Sequence, residues 1–124
     1  MSKRSDRPLV LLLEDEAIIA LDLQDELQEA GFAVAGPFTT CASALEWLGT
    51  ETPNTAILDT VLKDGPCRDI ALELNRRGVP FLIYSGHQED SNHFGEFPHV
   101  TWIEKPVLPS VLVEACSHLV AATA

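Results

Sequence analysis

Between Pro8 and Leu62 this sequence has no lysine and no arginine. The same stretch carries Glu14, Asp15, Glu16, Asp22, Asp25, Glu26, Glu29, Glu46, Glu51 and Asp59, and the 124-residue chain has a formal net charge of -11. Nucleic acid rewards basic patches that neutralise phosphates, so no nucleic-acid partner is expected. Long apolar runs are also lacking: none approaches the roughly 18 residues of a membrane span. The start of the chain does not follow the signal-peptide order of basic region, apolar stretch and small-residue cleavage site. No membrane association is therefore expected, and the cytoplasm is the expected location. Cysteine is scarce. Cys41, Cys67 and Cys116 are widely spaced, odd in number and form no CxxC or Cys/His pattern for zinc. The expectation is free thiols, buried or half-buried, in a reducing compartment. Met1 to Arg7 is polar and expected to be disordered, leaving 8–124 as one domain large enough to bury a core.

What the sequence does have is a set of short apolar runs, each ending in a reactive polar group. Leu9-Val10-Leu11-Leu12-Leu13 ends in Glu14-Asp15, and Ala56-Ile57-Leu58 ends in Asp59. Phe81-Leu82-Ile83-Tyr84 ends in Ser85, and Val100-Thr101-Trp102-Ile103-Glu104 ends in Lys105-Pro106. Short continuous apolar runs bounded by turn residues read as buried strands of a parallel sheet. Ligands of open α/β sheets bind at the carboxyl ends of such strands.

Helical patterns separate the runs. Ala17 to Ala30 has apolar positions at Ala17, Ile18, Leu21, Leu23, Leu27 and Ala30, with acids on the wet face. Gly31 can stop that helix. Phe32 to Ala35 reads as a short second strand ended by Gly36-Pro37. Thr40 can cap a helix that runs to Leu48, with Gly49 after it. Thr55 to Leu58 is the third strand, and Lys63-Asp64-Gly65-Pro66 is turn chemistry. Arg68 to Arg77 is the third helix. From His87 to Pro98 there is no clean helical period, so a fourth helix there would be short or mobile. The last helix starts near Pro109 and runs to about Ala121. Its Val111, Leu112, Val113, Ala115, Cys116, Leu119 and Val120 leave it apolar on more than one face, as a dimer or partner surface would be. The expected fold is α/β, a (βα)5 doubly wound parallel five-stranded sheet of flavodoxin-like order 2-1-3-4-5. That order makes the first and third strands neighbours and brings Asp15 and Asp59 face to face.

Three adjacent acids at the end of a buried strand repel one another unless a cation joins them. Mg²⁺ takes oxygen ligands from one or two carboxylates, water and phosphate, and Glu14, Asp15 and Asp59 can supply the carboxylates. Lys105 is a point charge for a phosphoryl oxygen, and Ser85 can donate a hydrogen bond to another. Asp59 is the best nucleophile candidate, since a carboxylate can take a phosphoryl group as an acyl phosphate.

Together Leu11-Leu12-Leu13-Glu14-Asp15-Glu16, Ile57-Leu58-Asp59, Ser85-Gly86 and Glu104-Lys105-Pro106 resemble a response-regulator receiver domain over essentially the whole chain. The resemblance implies a signalling protein phosphorylated on Asp59 by a sensor histidine kinase or phosphotransfer protein, with Mg²⁺ as cofactor. It implies that Asp15 binds the metal directly and Glu14 mainly through water or by supporting the direct ligands, with Asp59 and the Val61 carbonyl completing the protein ligands. Ser85 and Lys105 would contact the phosphoryl group, and Lys105-Pro106 would be a cis peptide. Pro80-Phe81-Leu82-Ile83-Tyr84-Ser85-Gly86 is in addition similar to the "FAT GUY" single-domain receivers, through Pro80, Phe81, the hydroxyl at Ser85 and Gly86. Such proteins often lack an output domain, and this chain stops after its fifth expected helix. The expectation is a stand-alone phosphoacceptor that changes its binding to a downstream protein and is not otherwise an enzyme.

The sequence also departs from that pattern. Trp102 stands three residues before Lys105, where receivers usually carry Tyr or Phe; it is either the switch aromatic or a core tryptophan. Val61, two residues after Asp59, is expected to shield an acyl phosphate from water, whereas His87 near Ser85 would guide water to it. A haloacid-dehalogenase-type phosphatase also uses a strand-end Asp and Mg²⁺, but wants a second Asp where this chain has Val61. A pseudo-receiver that binds partners without phosphorylation would not need the intact acids, hydroxyl and lysine.

Overall fold

The computed structural model describes residues 7–86, 97 and 100–123. In chain order the elements are β1 (Leu9–Leu13), α1 (Ala17–Glu29), β2 (Ala33–Phe38), α2 (Cys41–Leu48), β3 (Thr55–Leu58), β4 (Val61–Leu62), β5 (Gly65–Pro66), α3 (Arg68–Arg76), β6 (Phe81–Ser85), β7 (Thr101–Glu104) and α4 (Pro109–Thr123). Five strands form one parallel sheet in the order β2-β1-β3-β6-β7. Numbered without the small β4–β5 hairpin, that is the expected 2-1-3-4-5. The expected disorder before Arg7 and the weak helix over 87–98 fall, apart from Arg7 and Phe97, outside the described residues.

The central strands are buried on both faces, and strand periodicity divides their side chains into two cores. Leu11, Leu13, Ala56, Leu58, Phe81 and Ile83 pack with Ala44 and Leu48 of α2 and Ile70, Ala71 and Leu74 of α3. Val10, Leu12, Ile57, Leu82 and Tyr84 pack with Leu23 and Leu27 of α1 and Leu112 and Cys116 of α4. The sheet therefore carries α1 and α4 on one face and α2 and α3 on the other. Most of the apolar surplus of α4 is used here. Val113, Ala115, Leu119 and Val120 pack half-buried against the same core, and of the seven apolar positions only Val111 is a largely exposed side chain, at 42%.

Two local expectations are corrected. The second strand does not stop at Gly36-Pro37 but runs through both to Phe38. It can do so because β2 is an edge strand, where a proline costs no ladder bond. A register shift between Leu11 and Leu13 takes up the irregularity. Gly36 has φ 109°, and a Cβ there would lie 2.6 Å from the Leu12 carbonyl oxygen, so the close approach of the two strands requires glycine. The extension matters for the site: the Phe38 carbonyl accepts the Glu14 N–H at 3.0 Å.

The second correction concerns the cysteines. Cys116 is free and buried, but Cys41 and Cys67 form a disulfide, with Cα atoms 5.4 Å apart. They are 26 residues apart in sequence and meet because α2 and α3 both begin above the carboxyl edge of the sheet. The disulfide belongs to a larger clasp. The Asp64 carboxylate, in the turn of the β4–β5 hairpin, accepts the N–H groups of Cys41 and Ala42 at 2.7 and 3.0 Å. The Lys63 N–H donates to the Thr39 carbonyl at 3.2 Å. Thr40 caps α2 as expected, its side-chain oxygen accepting the Ser43 N–H at 3.2 Å.

In the chain-entropy picture, closing a loop of that length stabilises the fold by about 3–4 kcal/mol. Reduction by excess dithiothreitol, with thiol titration to confirm it, is expected to lower the melting temperature by several degrees while the circular dichroism spectrum stays native. A melting temperature unchanged after complete reduction would show that the hydrogen bonds of Asp64 and Lys63 hold the hairpin without it.

Candidate functional site

Four strand ends meet at the carboxyl edge of the sheet. Glu14 follows β1 and is only 1% exposed. Its Oε2 accepts the N–H of Glu16 at 3.1 Å, which turns the carboxylate back over the chain. Asp15 is half-buried. Asp59 follows β3, is buried, and donates its N–H to the Leu13 carbonyl at 3.2 Å. Ser85 is the last residue of β6 and is buried. Lys105 follows β7, and its N–H donates to the Ser85 carbonyl at 2.8 Å, so the pairing of β6 with β7 carries on into the site.

The Lys105 ammonium sits among three carboxylates. Its Nζ is 3.0 Å from Glu14 Oε1, 3.0 Å from Asp59 Oδ2 and 3.2 Å from Glu16 Oε1. It also lies 5.3 Å from the centre of the Tyr84 ring, within cation–π range. Asp15, Glu16, Asp59, Val61, Ser85, Gly86 and Lys105 line a cleft of about 330 Å³. Thus Asp15, Asp59, Val61, Ser85 and Lys105, all singled out in the sequence, share one cavity wall, with Glu14 directly behind it. Trp102 is not on that wall: it is half-buried and packs against the α2–α3 core. His87 lies outside the described residues.

Two contacts had no counterpart in the sequence reading. Glu16 was visible only as a third acid, and it pairs with Lys105. Thr60 was not singled out at all, and its hydroxyl oxygen lies 2.9 Å from that of Ser85. A hydroxyl beside a strand-end acid was the available signal, but its partner is 25 residues away.

No protein-family model and no curated protein matches this sequence. Solved structures do. A response regulator receiver protein from Sinorhizobium medicae is 27% identical with a TM-score of 0.84, over 95% of this chain and 98% of that one. The inactive form of the regulatory domain from the repressor of iron transport regulator is 28% identical with a TM-score of 0.78, over 93% and 96%. A CheY-like receiver domain protein from Methanospirillum hungatei is 21% identical with a TM-score of 0.81, over 94% and 95%. The chain folds as a response-regulator receiver domain.

In this receiver-like fold the site electrostatics follow from burial. Burial pushes the Glu14 and Asp59 carboxyls above their ordinary values, and the nearby Lys105 ammonium offsets only part of that. Burial also acts to lower the Lys105 ammonium, but Asp59 and Glu14 outweigh it and hold the group above its ordinary value. Among the described residues, Glu14, Asp15, Glu16 and Asp59 set four carboxylates against the Lys105 ammonium. Oxygens of Glu14, Asp15 and Asp59 come within 4.8 Å of one another. An all-oxygen, carboxylate-rich donor set with surplus negative charge suits a hard divalent cation such as Mg²⁺, and these three residues are the ones that would hold it.

A carboxyl held above its ordinary value binds protons more tightly in the folded chain than in the unfolded one. Its contribution to stability therefore declines as pH rises through that window. Without added metal, Glu14 and Asp59 are expected to favour the fold at about pH 5 relative to pH 7.5. Mg²⁺ should reverse the order. At a hundredfold excess over its Kd it adds about 2.7 kcal/mol at pH 7.5 and less at pH 5, where protons compete. Thermal melts at the two pH values, with Mg²⁺ and with chelator, check this. A melting temperature insensitive to Mg²⁺ at both would remove the metal site.

Proposed function

We propose that this receiver accepts a phosphoryl group on Asp59 from the phosphohistidine of a sensor kinase or phosphotransfer protein, and signals by changing which protein it binds. The observation that carries this reading is the position of Asp59. Its Oδ2 lies 3.0 Å from Lys105 Nζ in a cleft with more carboxylates than a single lysine neutralises. In the transfer an Asp59 carboxylate oxygen forms a bond to phosphorus as the phosphorus–nitrogen bond of the phosphohistidine breaks, and the imidazole leaves with the electron pair. Glu14, Asp15 and Asp59 would hold Mg²⁺, which would supply positive charge to offset that of the transferring group. Lys105 stays beside Asp59 and balances the charge of the acyl phosphate. The Ser85 hydroxyl donates to a phosphoryl oxygen. Val61, 41% exposed at the cleft wall, covers the acyl bond. Trp102 pairs in register with Ile83 of β6, so a shift at Ser85 reaches it through the β6–β7 ladder. No separate substrate is turned over, and the cytoplasm, where a kinase keeps its phosphohistidine, is the matching location.

A helical phosphodonor has a surface to meet. On α1, Ile18 and Leu21 are 77% and 58% exposed, and Leu108 before α4 is 71% exposed. Between α1 and α4 runs a groove lined by Ile19, Asp22, Pro106, Val107, Pro109 and Leu112. Pro106 and Val107 directly follow Lys105, so this apolar surface adjoins the phosphoryl site. Among the described residues no helix is long and apolar enough to cross a membrane.

Intact mass after incubation with phosphoramidate and Mg²⁺ tests the chemistry. One phosphoryl group is expected on the wild type, and none on Asp59→Asn or in the presence of chelator; a folded wild type with no adduct would turn the reading to a pseudo-receiver. The docking surface is tested separately. Ile18→Ser with Leu21→Ser is expected to slow transfer from a phosphohistidine protein by about tenfold or more, the equivalent of about 1.4 kcal/mol, and to leave phosphoramidate labelling unchanged. Equal slowing with both donors would place the defect in the site rather than on α1.

A further inference from the structure

The Thr60–Ser85 pair has a direction that matters. Both residues are 1% exposed, and their hydroxyl oxygens are 2.9 Å apart, with either able to donate. A hydroxyl has one proton and two acceptor lone pairs. If Ser85 donates to Thr60, its proton points away from the cleft. If Thr60 donates to Ser85, the Ser85 proton is available to the cleft that Ser85 lines. Thr60 does not line the cleft, and its hydroxyl reaches toward it through Ser85. Its backbone is well held: the Thr60 carbonyl accepts the N–H of Cys67 at 3.1 Å, and Cys67 is tied to Cys41 by the disulfide.

We propose that Thr60 is a positioning residue whose hydroxyl donates to Ser85 Oγ and so turns the Ser85 proton toward a phosphoryl group on Asp59. The inference rests on reading Asp59 as the phosphoacceptor. No proton is transferred: Thr60 donates to Ser85, Ser85 donates to a phosphoryl oxygen, and each bond polarises the next. As negative charge arrives on the phosphoryl group, that chain is the favoured one of the two directions. Thr60 thereby links the segment just after Asp59 to the end of β6.

A double-mutant cycle with phosphoramidate and Mg²⁺ tests the coupling. Thr60→Val keeps the shape and removes the hydroxyl. In the Ser85 background it is expected to lower the labelling rate by about 3- to 10-fold, the range one hydrogen bond supports, and Thr60→Ser should restore it. In the Ser85→Ala background the same substitution should change the rate by less than about 1.5-fold, since there is no hydroxyl left to orient. Equal losses in the two backgrounds would overturn the inference, because Thr60 would then act on packing alone. Circular dichroism establishes folding for each variant, and Thr60→Ala carries the same expectation where Thr60→Val does not fold. A folded wild type that takes no phosphoryl group would remove the phosphoacceptor reading and this inference with it. A wild type that labels normally, with equal losses in both backgrounds, removes the inference alone.

Discussion

The Lys105 ammonium is what allows three carboxylates to share one sheet edge. Glu14 and Asp59 lie almost out of solvent at the ends of adjacent strands, where like charges a few ångströms apart are strongly unfavourable. Lys105 reaches across from the end of β7 to hold both, and takes Glu16 as a third partner. The pairing leaves an excess of negative charge. Burial then raises the Glu14 and Asp59 carboxyls even with the lysine in contact, and the arrangement is incomplete without further positive charge. The same imbalance suits the edge to a hard cation, with Glu14, Asp15 and Asp59 as the residues that would hold it.

Everything around that edge serves to keep the strand ends together. The irregular end of β2 brings the Phe38 carbonyl to the Glu14 N–H, and the Leu13 carbonyl receives the N–H of Asp59. The segment after Asp59 is pinned to α2 by Asp64, Lys63 and the Cys41–Cys67 disulfide. Ser85 and Lys105 are locked by the last bond of the β6–β7 ladder. Among these pieces, Thr60 to Ser85 is a contact between two hydroxyls buried beside the charged cluster. The site is thus built on strand ends and short tethered loops, where the position of a carboxylate is set by backbone hydrogen bonds rather than by a flexible side chain.

Much of this was legible in advance, for definite reasons. Leu9 to Leu13 and Ala56 to Leu58 are apolar without interruption because a parallel strand between two helical layers has no wet face. Gly49 marks a helix end, and Thr40 caps as its type suggests. Phe38 was missed because Gly36-Pro37 usually stops a strand; an edge position and a register shift removed the conflict. The cysteine reading failed for a different reason. Spacing along the chain carries no information about two loops that converge above a sheet, and only the packing of α2 and α3 brings Cys41 to Cys67. Trp102 shows a third case: an indole three residues before Lys105 is compatible with a switch position or a core position, and its packing against the α2–α3 core is visible only in the folded chain.

By itself, the sequence determined the alternation of strand and helix, the parallel sheet, and the acids, hydroxyl and lysine that stand at its carboxyl edge. Those properties are written in local periodicity and in the residue types that terminate each apolar run. Only the tertiary structure decided who touches whom: Glu16 with Lys105, Thr60 with Ser85, Asp64 with the start of α2, Cys41 with Cys67. Each of those pairs except the last depends on hydrogen-bond or ionic geometry of about 3 Å between residues far apart in the chain, and the last on two backbones brought within bonding reach. Such distances are set by the crossing of packed layers, which no local pattern encodes.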